Sequence, residues 1–534
     1  MTMSCGEATI RLLARYGVDT VFGIPGVHTL DFCSGLGENS SIQHIQVRNE
    51  QGAGFMAEGY ARATGKPAVA LVISGPGVTN AATAMGQSWA DSLPVLLLSA
   101  EAASDTLGKG WGVLHEVTEQ KAVTAPLTAL SATAHKPDDV PELLAQAFSI
   151  FSSARPRPVH LSIPTDVQSA RTDGDWAPVK LPGRPHPDPH QVAQAAGLLA
   201  DAKRPLIMVG GGACEAACEI QQLCEQLNAI VISSTAGKGI VPDDHPLSLG
   251  GATVRPEVHR MVPTADVVVA IGTEISETDS FVERLDIRGK LIRIDLDPRK
   301  INDLYPADVG IVADAAATVA ALLEALNELT PSANRKDNEA LVTNIRNQIK
   351  RQLSPSEQQH CRLLAGLRDC IPDDTILAGD VCQLVYTGAF AMPVQHPRSW
   401  FYPAGYCTLG AALPNAIGAM RALPDRPVVV LVGDGGFMFT VQELITAAEL
   451  KLPLPVVLWD NGGLKQIRDD MSRGGFPRVG VDGINPDFSL LARSMHCHAE
   501  EPASMTDFQR AVQTALSSDR PTLITVHEDS TWLL

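Results

Sequence analysis

Short apolar runs alternate with helical patterns along the whole chain, and this alternation constrains the fold more than any other feature. VDTVFGI, IQHIQV, PAVALVIS, PVLLLSA and PVHLSIP come first. RPLIMVG, AIVISS, ADVVVAIG, KLIRIDLD and VGIVAD follow, and then TILAGDV, PVVVLVG, LPVVLW and PTLITVHE. Runs this short and this continuously apolar suit strands buried on both faces, which are the strands of parallel sheets covered by helices. A Pro- and His-rich stretch, DGDWAPVKLPGRPHPDPH (173–190), and a polar one, PSANRKDNE (331–339), read as connections. The expected architecture is therefore α/β: three doubly wound parallel-sheet domains at 1–172, 191–330 and 357–534. Helix ATVAALLEALNEL closes the second. The first and third are similar in length, but no sequence repeat links them.

Size and charge narrow the function. A chain of 534 residues is too long for one core and suggests about three domains. A formal net charge of -18 argues against nucleic acid and anionic membranes as partners, and suits a cationic substrate. The ten cysteines include no CxxC pair, so a reduced, cytoplasmic setting is expected. Cys214, Cys218 and Cys224 read as helix core. MTMSCGEATIRLLARYG reads as an amphipathic helix with internal charges rather than a leader, and no apolar run approaches a membrane span.

Three motifs carry chemistry. In LVGDGGFMFT, Asp434 sits between glycines at the tip of a buried strand. The helix TVQELITAAEL and the strand LPLPVVLW follow, and then Asp460-Asn461-Gly462-Gly463. Taken alone, GDGG is as readily a turn. A carboxylate and an amide at neighbouring strand tips suit a hard cation facing a phosphate. In the second motif, VRNEQGAGFMAEGYARATGKP, Glu50 opens a helix after a strand; by itself it reads as a helix-terminal carboxylate. Gly75-Pro76-Gly77 then forms a turn. In the third, GYCTLGAALPNAIGA, Leu409 precedes small residues that read as close helix packing.

The spacing of GDG and Asn is the signature of thiamine-diphosphate-dependent enzymes. The whole chain resembles the branch containing acetolactate synthase, pyruvate oxidase and benzoylformate decarboxylase. That resemblance implies a pyrimidine-binding, a middle and a diphosphate-binding domain, with thiamine diphosphate and Mg2+ as cofactors. It implies Asp434, Asn461 and the Gly463 carbonyl as metal ligands, with Asp460 a neighbour where relatives carry Asn. It implies Glu50 as the catalytic carboxyl that shares a proton with the cofactor's aminopyrimidine N1' across a subunit interface. Leu409 becomes the apolar wedge beneath the cofactor. Pro25, Gly77, Asn80, Val381, Gln383, Gly433, Gly435, Gly436 and Leu464 are the further cofactor contacts it nominates. Homo-oligomers, as a dimer of dimers, are the usual assembly.

The pocket decides the reaction. His115, in LGKGWGVLHEVTEQ, falls where relatives face substrate and is nominated as catalytic; His28 and Glu116 are weaker candidates. A lone loop histidine is otherwise structural or exposed. GGGACEA (210–216) lacks the spacing of a dinucleotide fingerprint and reads as a turn, and FAD is not expected. Stretches such as EQGAGFMAEGYARATGKP, LHEVTEQ and GTEISETD resemble 2-ketoarginine (5-guanidino-2-oxopentanoate) decarboxylases. Leu464, Lys465 and Gln466 depart from the expected pattern, and an inward lysine would disfavour a guanidinium. Glu116, Glu277, Asp279, Glu528 and Asp529 are acids that could favour one. The expected function is non-oxidative decarboxylation of a 2-oxo acid to an aldehyde and CO2, a lyase reaction. The alternative is a carboligase (transferase) of the acetolactate-synthase kind. The tail HEDSTWLL is long enough to cover a site mouth, with Trp532 excluding water.

Overall fold

The structure, a computed structural model of the chain, describes residues 2–38, 41–329 and 337–533. Among these residues the strands form three parallel sheets and one small antiparallel pair. The first sheet contains β1 (Thr20–Gly23), β2 (Gln43–Gln46), β3 (Ala68–Val72), β4 (Val95–Glu101), β5 (Leu130–Thr133) and β6 (Val159–Pro164). The second contains β7 (Pro205–Val209), β8 (Ile230–Ser233), β9 (Val267–Ile271), β10 (Lys290–Asp295) and β11 (Val309–Val312). The third contains β12 (Ile376–Gly379), β13 (Trp400–Phe401), β14 (Val428–Gly433), β15 (Pro455–Asp460), β16 (His498–Glu500) and β17 (Thr522–His527).

The spatial order is β2-β1-β3-β4-β6-β5 in the first sheet and β13-β12-β14-β15-β17-β16 in the third. Counted from the start of each unit these orders are the same. The relationship between the two units, invisible in sequence, is therefore explicit in topology. The middle sheet, β8-β7-β9-β10-β11, follows the same beginning. In each unit the connection direction reverses between the first and third strands, which opens a crevice at the carboxyl edge. In the first unit Pro25 and Gly75 flank that crevice; in the third, Asp380 and Asp434 do.

Every strand foreseen from sequence is present. β5, β13 and β16 were not foreseen, because they are short, and β5 and β16 are half-buried or exposed, with no apolar run to reveal them. TVQELITAAEL is broken: one helix spans Asp434–Thr440 and the next Glu443–Glu449. The helix expected in MTMSCGEATIRLLARYG spans Cys5–Arg15, capped by Ser4 and Glu7 in a reciprocal box. Cys224 is helical core, but Cys214 lies in the turn before that helix and Cys218 is exposed. Most of the polar connection at 331–339 lies outside the described residues.

The first and third units pack through helix Glu50–Thr64 against helix Ala412–Ala422. A Cβ at Gly59 would lie 2.1 Å from the Asn415 carbonyl oxygen, and one at Gly418 would lie 1.9 Å from that of Met56. The small residues of GAALPNAIGA thus let two helices touch backbone to backbone.

Candidate active site

In the third unit the tips of β12, β14 and β15 lie side by side. β14 runs straight into Asp434, which opens a helix rather than a loose turn and is 1% exposed. Its Oδ2 accepts from Gly463 N–H at 2.6 Å and from Asn485 Nδ2 at 2.7 Å. The side-chain oxygen of Asn461 lies 3.2 Å from Asp434 Oδ1 and 3.1 Å from the Gly463 carbonyl oxygen. Turning the amide over would make both hydrogen bonds. In the orientation present, three acceptor oxygens converge with no hydrogen between them. Oxygens on adjacent corners of an octahedral magnesium, roughly 2.1 Å from the metal, are about 3.0 Å apart. The donor set therefore fits the ion. Burial, with a smaller push from Asp460, raises the Asp434 carboxyl above its usual range, and a bound cation would reverse that push. Asp460 stands outside the set: it accepts from Asn485 Nδ2 at 2.9 Å and faces His527 Nδ1 at 3.1 Å.

The glycines make room. A Cβ at Gly436 would lie 2.6 Å from Asp380 Oδ1 and 3.4 Å from Leu409 Cδ2; at Gly433 it would meet Cys382, and at Gly435 it would meet Leu464. Asp380 is fully buried and was missed from sequence. It accepts from the N–H of Gly410 at 3.1 Å, Ala412 at 3.0 Å and Val381 at 2.9 Å, so it holds the turn that carries Leu409. The Val381 N–H, nominated for the diphosphate, is thus turned onto Asp380. Gln383, also nominated, donates to Gln466 at 3.0 Å and Asp469 at 3.2 Å, while its Oε1 is buried without a partner.

In the first unit, Asn49 caps the helix that Glu50 begins, and Asn80 Nδ2 donates to Glu50 Oε2 at 2.9 Å. Gly75, at φ +56°, precedes the helix Pro76–Ala90, and a Cβ there would lie 2.4 Å from the His115 carbonyl oxygen. The Gly75 N–H donates to buried Gln120 at 2.7 Å, which ties this turn to the end of the His115 loop. Gly77 packs against Ile73 and Val72, and Pro25 is exposed on the loop after β1. His28 and His115 face each other edge to face at 5.2 Å, and His28 Nδ1 meets Ser74 Oγ at 2.5 Å. Burial, and then the neighbouring His115, hold His28 below the usual imidazole range. His115 Nδ1 and Glu116 Oε1 are buried without partners.

Lys465 does not stand as a bare charge: its Nζ lies 3.5 Å from Glu528 and 3.6 Å from Asp469. Asp279 is half-buried in the middle unit, accepting from the Thr235 N–H and Ser276 Oγ. A cleft of about 460 Å³ opens where the three units meet, lined by Arg155, Arg157, Gly211, Glu274 and Asp279 among others. GGGACEA forms a short turn on its wall. Neither Glu50 nor Asp434 lines this cleft. Among the described residues the end of the tail packs on the third unit. Trp532 stacks on Phe508 at 6.3 Å and Leu533 is fully buried in the core of the third unit.

Each of the three units matches a known family model. The thiamine pyrophosphate enzyme N-terminal TPP binding domain matches residues 3–123, the central domain 192–322, and the C-terminal TPP binding domain 380–526. The chain belongs to the thiamine-diphosphate enzyme family. It is 47% identical to a protein of Pseudomonas aeruginosa named probable 2-ketoarginine decarboxylase AruI, over 98% of this chain and 94% of that protein. It is 32% identical to the acetolactate synthase large subunit of Corynebacterium glutamicum, over 98% of this chain and 86% of the relative. Acetolactate synthase isozyme 1 large subunit of Escherichia coli is 30% identical over 98% of this chain and 94% of that subunit. Among the described residues no helix is long and apolar enough to cross a membrane.

Proposed function

We propose that the chain is a thiamine-diphosphate-dependent decarboxylase of a 2-oxo acid bearing a cationic side chain, with 5-guanidino-2-oxopentanoate the leading candidate. The observation that carries this reading is 47% identity along almost the whole length of a probable 2-ketoarginine decarboxylase, against 30–32% for the acetolactate synthases. The net charge of -18 and the neutralisation of Lys465 by two acids favour a cationic side chain. The carboligase reading has the weaker support.

Bound thiamine diphosphate supplies the electron sink for the pair left when carbon dioxide departs. The chain's residues do the rest. Asp434, Asn461 and the Gly463 carbonyl would hold Mg2+, which would neutralise the diphosphate charge. Leu409 supports the cofactor from beneath, and Leu464 packs beside Gly435. Glu50 would be the carboxyl that holds a proton beside the aminopyrimidine. His115 is the candidate for moving a proton at the substrate end. Asp434 and Glu50 sit on the third and first units, and a second copy of the chain brings them together. We assign a homotetramer built from such dimers, a cytoplasmic setting, and unit boundaries at 1–172, 191–330 and 357–534.

The test is a panel of 2-oxo acids with carbon dioxide, aldehyde and ligated products measured separately. Aldehyde release fastest with the guanidino substrate is expected. A ligated acetolactate-type product as the main outcome would transfer the chain to the carboligases.

A further inference from the structure

Leu409 is held from outside its own unit. The turn that precedes it, Gly405–Thr408, is exposed or half-buried and contains no helix or strand. Two side chains of the first unit grip it. Gly405 N–H donates to Asp91 Oδ1 at 2.8 Å, and Thr408 N–H reaches Gln87 Oε1 at a longer 3.5 Å. Gln87 Nε2 in turn donates to Asp91 Oδ2 at 2.6 Å. The fit is tight: a Cβ at Gly405 would lie 2.8 Å from Asp91 Oδ1, and one at Gly86 would lie 2.9 Å from the Tyr406 ring.

Asp91 is itself fixed. Arg62 pairs with both Asp91 and Glu58, and all three side chains are buried. Asn415, on the helix after Leu409, donates Nδ2 to Glu58 Oε1 at 3.3 Å. One acid–base–acid chain thus reaches the segments before and after Leu409. A buried ion group of this kind is weak evidence for stability, but it specifies register well.

We propose that Asp91 and Gln87 are positioning residues for catalysis: from the first unit they set the height of Leu409 against the cofactor bound by the third unit of the same chain. This rests on the reading of Leu409 as the apolar support of thiamine diphosphate. The helix Glu50–Thr64 then has two duties. Its first residue is the proton-exchanging carboxyl, and its last turn anchors, through Arg62, the support of its own chain's cofactor. A support displaced by about 1 Å costs on the order of a hundredfold in rate.

The test is a double-mutant cycle with Leu409→Ala, using Gln87→Met and Asp91→Asn. Gln87→Met keeps the shape and leaves the Arg62 pairs intact, so it guards against a variant that fails to fold. Thiamine diphosphate affinity is read by quenching of intrinsic tryptophan fluorescence, alongside kcat, KM for the 2-oxo acid and melting of the cofactor-free protein. Each clamp variant alone is expected to lower kcat roughly ten- to a hundredfold and to weaken cofactor binding severalfold, with KM for the oxo acid within about twofold. In the Leu409→Ala background the same changes lose most of their effect. Equal effects in both backgrounds, or clamp variants that behave as wild type while Leu409→Ala is impaired, overturn the clamp. A Leu409→Ala enzyme indistinguishable from wild type removes the underlying reading of Leu409 instead.

Discussion

Asn80 donates its amide to the Glu50 carboxylate at 2.9 Å, across the carboxyl edge of the first sheet. The bond engages Oε2 and leaves Oε1 without a side-chain donor from Asn80. Glu50→Gln keeps the shape and the Asn80 contact through its carbonyl, but it cannot exchange a proton. Turnover is expected to fall by on the order of 10²–10⁴-fold, with thiamine diphosphate still bound in titration. Asn80→Ala should cost less and act on kcat rather than on cofactor affinity. A fully active Glu50→Gln enzyme removes the assigned role.

The metal set makes a separate prediction. Asp434→Ala removes the one carboxylate of the three converging oxygens and should abolish cofactor retention. Asn485→Ala leaves all three in place but removes one of the two donors to each of Asp434 Oδ2 and Asp460 Oδ1, leaving the Gly463 and Gly462 N–H groups. It should weaken magnesium by about 10–100-fold, because partners that orient a ligand matter on that scale. Chelation followed by add-back of Mg2+ checks both: Asn485→Ala recovers at high magnesium, and Asp434→Ala does not.

How much of this was legible beforehand follows from where the signal lies. Asp434 and Asn461 were readable because strand tips are marked by apolar runs that stop at glycine. Glu50 was placed at a helix start by the strand and long helix that bracket it, but only the family resemblance nominated it for chemistry. Asp380 was not, since a lone Asp after TILAG looks like any turn residue; its importance comes from the 409–412 turn about 30 residues away. Asp91 and Gln87 were hidden for the same reason, because their partners belong to another unit. The break of TVQELITAAEL was equally hidden. Glu443, fully buried at the start of the second piece, accepts the backbone N–H groups of Arg48 and Asn49, and no local pattern reports a partner so distant.

Two buried histidines set an acid limit. His160 is held neutral between Ser99 and Thr124, and burial pushes it down to about 3. His360, bonded to Thr387, is pushed down to about 4, again by burial first. Unfolded histidine takes its proton near pH 6.5, so the unfolded chain binds more protons below that pH. Stability from these groups is complete above about 6.5 and falls as pH drops toward 4 and 3, by about 1.4 kcal/mol per pH unit for each proton. Glu58, raised to about 7 by burial, works in the opposite direction, so the comparison must be with a variant. His160→Gln should flatten the slope of urea stability against pH by one proton between pH 6 and 5. An unchanged slope refutes the assignment.

The tail offers the last prediction. Its sequence suggested a cover for the site mouth, but the chain end is spent on the core. Leu533 is fully buried, its carbonyl accepts from Arg362 Nε at 2.6 Å, and Trp532 stacks on Phe508. These contacts belong to the cluster on one face of the third sheet, with Leu363, Leu367 and Val512. A chain stopped after Asp529 therefore loses burial, not closure. The expected cost is about 2–4 kcal/mol in urea unfolding, from one buried leucine and a partly buried tryptophan. KM for the 2-oxo acid should stay within about twofold of the full chain below the melting range. Unchanged stability together with a raised KM would return the tail to the site mouth.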